Sequence, residues 1–217
     1  MPRKAWDIRK NLRRKVNQRR LNKRFLIMTE GETEETYFNH YRQLPDPIVQ
    51  AIDQSDNKRS LVEKAIVERD RRIASGDFIE ELDEAWVVLD RDVAPENPRD
   101  KTNFNEALKI SKNNGMLVAY SNDCFELWLL LHFQVVSSSL HRDVVCQKLS
   151  THIGKTYEHG SKTDLFDRIK LMRQEAIKRA RQMLKERESI APEAANPSTT
   201  VHILVELIMS EPGFRDD

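Results

Sequence analysis

The sequence predicts an α/β protein: an open, mainly parallel sheet of about four strands with helices on both faces, plus an α-helical C-terminal part. Three observations carry that expectation. Apolar runs alternate with amphipathic stretches between residues 25 and 133, the pattern of successive βα units. The runs FLIMT (25–29), AWVVL (85–89) and MLVAY (116–120) are continuous, as strands buried on both faces require. Beyond Ser137–Ser139 the strand-like runs stop and helical periodicity continues alone.

The first strand, Phe25–Thr29, ends at Glu30-Gly31, where a residue without Cβ permits a tight strand-to-helix turn. Glu32 to Gln43 reads as a helix, with Glu32, Glu34 and Glu35 complementing the macrodipole in its first turn. Tyr37, Phe38 and Tyr41 form its buried stripe, and Pro45 and Pro47 stop it. Ile48–Ile52 is a second, weaker strand. Asp56 or Asn57 then caps a helix that carries Leu61, Val62, Ala65, Ile66 and Ile73 to about Ala74, with Gly76 ending it. Ala85–Leu89 is the clearest strand and leads directly into Asp90-Arg91-Asp92. Phe104–Asn114 is a helix closed by Gly115, and Met116–Tyr120 is the fourth strand. Ser121 or Asn122 caps the next helix, whose Phe125, Leu127, Trp128, Leu129, Leu130, Leu131 and Phe133 surround most of its circumference. That helix is buried. After the Ser137–Ser139 linker, helices are expected near 140–151, 164–188 and 198–210. The chain divides into an arm (1–24), a sheet domain (25–135) and a helical region packing on it (136–217).

A third of the residues are charged and 39% are apolar, as in a soluble globular protein. No apolar run approaches the roughly 20 residues that cross a bilayer, and no apolar segment of signal-peptide type follows the basic N-terminus. Cys124 and Cys146 lie far apart and outside any C-x-x-C pair, so reduced thiols, a cytoplasmic location and no thiolate zinc site are expected. The net charge of +1 hides an asymmetry. Arg3, Lys4, Arg9, Lys10, Arg13, Arg14, Lys15, Arg19, Arg20, Lys23 and Arg24 face only Asp7, leaving 25 basic against 34 acidic residues beyond them. Such an arm can neutralise nucleic-acid phosphates with counterion release. It can equally be a solvated tail, or a helix docked on the acidic body. The chain has no G-x-x-x-x-G-K-[ST] loop and is no P-loop ATPase.

If the first and third strands are neighbours, Glu30, Asp90 and Asp92 meet outside their carboxyl ends, where doubly wound sheets bind ligands. Carboxylates so close repel one another. A hard divalent cation relieves the repulsion, and Mg2+ favours one or two carboxylates with waters and phosphate oxygens. From an extended chain end, Asp90 and Asp92 point the same way. A lone D-x-D is more often a solvated loop, but its place after a strand in a βα-repeating chain favours the metal reading. Glu126, on an apolar helix, is either a further metal or water ligand or a buried carboxylate bonded to a loop amide or an arginine. His132 reads as a core histidine. Arg91 points away from its flanking aspartates and holds a phosphate or pairs with an acid. Lys155 and Tyr157 lie in a turn that can reach the rim, although a plain surface loop is the stronger reading. The basic residues of 164–188 alternate with Glu175 and Glu186 as on a solvated helix face.

Three segments occur in a recognisable order: EGETEETYF (30–38), VLDRD (88–92) and SNDCFELWLLLHF (121–133). Together they resemble the motifs of RloB-like proteins, which are found near bacterial restriction and phage-defence loci. The broader likeness is to Toprim domains of topoisomerases, primases and overcoming-lysogenization-type nucleases. That resemblance implies a Toprim-like sheet, Glu30 as acid or base, and Asp90 and Asp92 as ligands of Mg2+ (or Mn2+), with Glu30 beside them. Glu34 matches a second glutamate of those nucleases. No primase-type zinc cysteines and no strand-passage tyrosine are present, which turns the expectation toward a metal-dependent nuclease. Its substrate would be DNA or RNA, tRNA included, and its setting phage defence by abortive infection. Glu30, Glu34 and Glu126 are then the catalytic candidates. Arg13, Arg14, Lys15, Arg19, Arg20, Lys23, Arg24 and Arg91 are the nucleic-acid contacts, and no organic cofactor is expected. The alternative is a non-catalytic nucleic-acid-binding or docking subunit of a defence complex with an ABC- or SMC-like ATPase encoded nearby. A homo-oligomer is compatible with either.

Overall fold

Phe25–Thr29 (β1) is buried along its whole length, and with Ile48–Ala51 (β2), Glu84–Asp90 (β3), Leu117–Asn122 (β4) and Ser198–Thr199 (β5) it forms a sheet of order β2-β1-β3-β4-β5. The computed structural model describes residues 23–41, 48–51, 57–92, 98–158, 165–211 and 214. Ile48–Ala51 (β2), Glu84–Asp90 (β3) and Leu117–Asn122 (β4) complete the parallel part of the sheet. The expected parallel strands are all present. The chain steps from β1 outward to β2, then returns to the other side of β1 with β3. Strand order therefore reverses between β1 and β3, the position at which open sheets form a ligand crevice.

Side-chain alternation splits the apolar residues between two layers. On one face Phe25, Ile27, Trp86 and Val88 join a cluster with Tyr37 and Phe38 of Glu32–Asn39 (α1). On the other, Leu26, Met28, Val87 and Leu89 pack with Leu61, Val62 and Ala65 of Lys58–Ser75 (α2), and with Phe104 and Ala107 of Pro98–Asn113 (α3). Helices thus cover both faces. The Asn57 side chain caps α2 by accepting from the Ser60 N–H at 3.0 Å. Gly76 and Gly115 follow α2 and α3 at φ 76° and 67°, a backbone region that glycine enters without Cβ strain.

The structure departs from the sequence reading after β4. That strand continues through Asn122, so Ser121 and Asn122 do not cap a helix. They pair antiparallel with Thr199 and Ser198 of a fifth strand, β5 (Ser198–Thr199). The helix that follows is short, Glu126–Leu130 (α4). Next come Arg142–Ile153 (α5), Leu165–Ile169 (α6), Arg173–Lys185 (α7) and Val201–Ser210 (α8). The single long helix expected over 164–188 is interrupted by a 3-10 turn at Lys170–Met172. Just after that turn, Arg173 is buried, its guanidinium 5.1 Å from the Tyr41 ring centroid and 5.7 Å from those of Phe166 and Phe214. Ile177 and Ala180 of α7 and Leu204 and Val205 of α8 lie in the same apolar cluster as α1 and β1. Among the described residues no helix is long and apolar enough to cross a membrane.

Candidate metal centre at the sheet rim

Because β1 and β3 are hydrogen-bonded neighbours, Glu30 and Asp90 emerge side by side. Glu30 Oε2 accepts from the Asp90 backbone N–H at 3.2 Å. Glu34, one turn into α1, is buried beside them, and Glu126 enters as the first residue of α4, also buried. Strand β3 ends at Asp90, and the Arg91 and Asp92 N–H groups bond the carbonyls of Ser121 and Asp123 at 2.8 and 3.0 Å. Asp92 sits at φ 46°, a left-handed position that Asp tolerates better than most residues. The period-two geometry expected of D-x-D therefore does not operate. Asp92 is instead turned toward two cations that sequence reasoning did not single out.

The first is Lys58, the opening residue of α2. Its Nζ lies 2.9 Å from Glu30 Oε1 and 2.9 Å from Asp92 Oδ2, with the side chain only 9% exposed. The second is Arg142, the opening residue of α5, whose Nη1 meets Asp92 Oδ1 at 2.6 Å. Both oxygens of Asp92 are thus engaged by cations. Burial works against the charge on Lys58, but Glu30 and Asp92 outweigh it and raise its pKa. Lys58 is a fixed positive charge.

Asp90, Glu34 and Glu126 form the other half of the rim. Asp90 is 7% exposed, and its Oδ1 has no hydrogen-bond partner among the described residues. Burial first, then the charges of Glu34, Asp92, Glu126 and Glu30, push its pKa well above the usual carboxylate value. Burial pushes Glu34 up to about 8, and Glu126, Glu30 and Asp92 push in the same direction. Glu30 is also raised by burial, with Lys58 opposing. On Glu126, Oε1 accepts from the Tyr157 hydroxyl at 3.0 Å, and that hydroxyl is 3.4 Å from Thr33 Oγ1. Tyr157 thus does reach the rim, rather than lying on a plain surface loop.

Among the described residues no three Asp, Glu, His or Cys side chains stand in ready-made metal-binding geometry. The donors nevertheless fit a hard cation that keeps its waters and takes one or two carboxylates. A buried carboxylate oxygen without a partner, surrounded by groups that resist ionising together, is stabilised by an added positive charge. The fit is at Asp90. At Glu30 and Asp92 the Lys58 ammonium already stands where a cation would. The structure therefore brings Glu30, Asp90 and Asp92 to one rim but divides them into two electrostatic groups.

The remaining candidates go elsewhere. Arg91 is buried, with Nε bonded to the Glu193 carbonyl at 3.3 Å and its guanidinium 5.9 Å from the Phe104 ring centroid. In place of the phosphate or acid expected for it, Arg91 holds backbone carbonyls. Lys23 pairs with Glu84 at 2.6 Å, and the Arg24 N–H bonds Asp83 Oδ1 at 2.8 Å. These contacts lie at the amino ends of β1 and β3, the edge opposite the rim. Arg13, Arg14, Lys15, Arg19 and Arg20 lie outside the described residues. His132 is a core residue: its Nδ1 sits 3.0 Å from the Trp128 carbonyl, and burial lowers its pKa to about 4. Cys124 and Cys146 are free thiols. Burial raises both, Cys146 to about 12 and Cys124 well above its usual value, so neither offers a thiolate near neutral pH.

The model of a family described as RloB-like protein matches residues 25–208 of the chain. No curated protein and no solved structure matches it.

Proposed function

The chain belongs to the RloB-like protein family, and on that premise we propose that its acidic rim is the centre of a metal-dependent nuclease serving in antiviral defence. The observation that supports this reading is Asp90 Oδ1, buried and without a partner among the described residues, in a cluster that already resists ionisation. A bound Mg2+ or Mn2+ supplies a water of lowered pKa and stabilises charge developing on phosphodiester oxygens. Asp90, with Glu34 or Glu126, would hold such an ion. Glu30, its pKa raised by burial against the opposing Lys58 ammonium, stands at the rim in the position of an acid or base. Lys58 and Arg142 place fixed positive charge at the mouth of the rim, where substrate phosphate arrives. The basic stretch before residue 25 adds affinity that falls as salt rises. The substrate class is nucleic acid, DNA or RNA.

The test is cleavage of tRNA and of supercoiled DNA by the purified protein in Mg2+ or Mn2+, alongside Asp90→Asn. Cleavage lost in the variant is the expected result. Equal cleavage by both proteins, or none by either, would overturn the proposal.

The ion pairs favour a second reading. With Glu30 and Asp92 already neutralised by Lys58 and Arg142, the rim would suit a subunit that binds nucleic acid or docks on a partner ATPase without cutting. Under that reading Asp90→Asn retains full protection against phage in cells carrying the neighbouring genes. Under the first it loses it.

A further inference from the structure

We propose that Lys58 is a tethered cation occupying what would otherwise be a second metal position, so that this rim takes one divalent ion, at Asp90, rather than two. The inference rests on the metal-binding reading above and specifies its stoichiometry. Two carboxylates from separate elements, Glu30 after β1 and Asp92 beyond β3, converge on one point, as ligands of a bridging ion do. That point is filled by Lys58 Nζ, at 2.9 Å from an oxygen of each.

The placement is built. The side chain is 9% exposed, and its backbone is fixed by the Asn57 cap immediately before it. A cation at the first position of a helix opposes the macrodipole, so local structure does not favour it there. The two carboxylates do. Arg142 occupies the other oxygen of Asp92 at 2.6 Å. A divalent ion seeking the Glu30–Asp92 pair would meet two fixed positive charges at contact distance. Around Asp90 no cation is in hydrogen-bond contact: Oδ1 has no partner among the described residues, Arg142 acts on it only through space, and the carboxyl groups of Glu34, Asp92, Glu126 and Glu30 surround it. An ammonium cannot lower the pKa of a bound water as a metal does. Lys58 instead neutralises charge. Two of its three N–H donors go to Glu30 and Asp92, which leaves the third for a non-bridging phosphate oxygen.

The experiment is calorimetric titration of the full chain with Mn2+ alone, with no nucleic acid present. The expected result is about one ion per chain for the wild type and about two for Lys58→Met. Asp90→Asn abolishes the wild-type ion, whereas Asp92→Asn keeps it with affinity changed by no more than a few-fold. Two ions in the wild type would overturn the role of Lys58 and leave metal binding intact. One ion in both the wild type and a folded Lys58→Met would do the same. If Lys58→Met does not fold, the aspartate variants decide: an ion lost as completely in Asp92→Asn as in Asp90→Asn overturns the inference. No ion in any of these proteins would remove the metal reading itself, and this inference with it.

Discussion

Asp90 and Asp92 are two residues apart, yet they live under opposite electrostatic conditions. Asp92 and Glu30 share Lys58, and Arg142 takes the remaining oxygen of Asp92. Asp90 is buried with Glu34 and Glu126 and has an oxygen that no described residue satisfies. The first group is a finished ion-pair network. The second is an unfinished one, and a buried set of carboxylates in that condition either holds protons or awaits a cation. The contrast teaches that proximity at a rim does not make carboxylates equivalent. What matters is which of them the fold has already neutralised.

The sharpest way to break the comparison is to remove one carboxylate from each half. Asp90→Asn should lower single-turnover cleavage by about 1,000-fold, the rate equivalent of several kcal/mol of metal-supplied stabilisation. Asp92→Asn removes a carboxylate that the protein already balances with its own cations. It should cost roughly ten-fold. Rates measured in Mn2+ on the same substrate check the ordering. If Asp92→Asn is the worse of the two, the halves have been assigned the wrong way round.

Proton linkage gives a second, smaller effect that needs no activity. Glu34 has its pKa raised to about 8 in the fold against 4.5 in an unfolded chain. Between those values the folded state holds the proton and the unfolded state does not, so stability falls as pH rises. His132 and His202, both lowered to about 4, act the other way between pH 4 and 6.5. There the unfolded imidazoles are the protonated ones, and stability climbs with pH. Above pH 6.5 the histidines are largely neutral in both states, and the raised carboxyl groups, Glu34 with Asp90 and Glu30, all act in one direction. From pH 6.5 to 8, in chelator, the metal-free protein should lose on the order of 2 kcal/mol. For a chain of this size that is a drop of about 4–8 °C in Tm. Glu34→Gln should flatten the slope, and millimolar Mg2+ should do the same for the wild type. A slope equal in the variant and the wild type would place the proton on another group.

The halves also differ in how far the sequence discloses them. Glu30 and Asp90 are legible because each closes a continuous apolar run, FLIMT and AWVVL. A buried strand followed by a carboxylate is a local signal. Lys58 and Arg142 act across the fold, from residues far along the chain from their partners, and no periodicity reports such a contact. Each nevertheless leaves one trace: a cation at the first position of a helix, where the macrodipole disfavours it. A basic residue in that position is a candidate for a tertiary carboxylate partner. The fifth strand escaped for a related reason. Ser198–Thr199 is two polar residues long, with no apolar run to announce it, and it exists through its pairing with Ser121 and Asn122. For Arg91, just past the end of β3, alternation gives only the side of the sheet it faces. Which face carries solvent and which carries the Glu193 segment depends on packing beyond it.

The smallest expected effect tests whether Glu126 belongs to the unfinished half or is already satisfied by Tyr157. The Tyr157 hydroxyl donates to Glu126 Oε1 at 3.0 Å, and burial together with Glu126 keeps that phenol protonated far above its usual range. A hydrogen bond to a carboxylate contributes roughly 1.5–3 kcal/mol when both groups are in place. Tyr157→Phe keeps the ring and deletes only the donor. If Glu126 reaches the ion, its carboxylate, without the phenol, has more negative charge to share with it, and Mn2+ affinity should change by about three- to ten-fold, with cleavage following in the same ratio. If Glu126 is held away from the ion, the loss falls on stability: Tm drops by a few degrees, and Mn2+ affinity stays where it was. Titrating the variant with Mn2+ beside its thermal melt separates the two outcomes, because only a carboxylate in contact with the ion transmits the missing phenol to the metal.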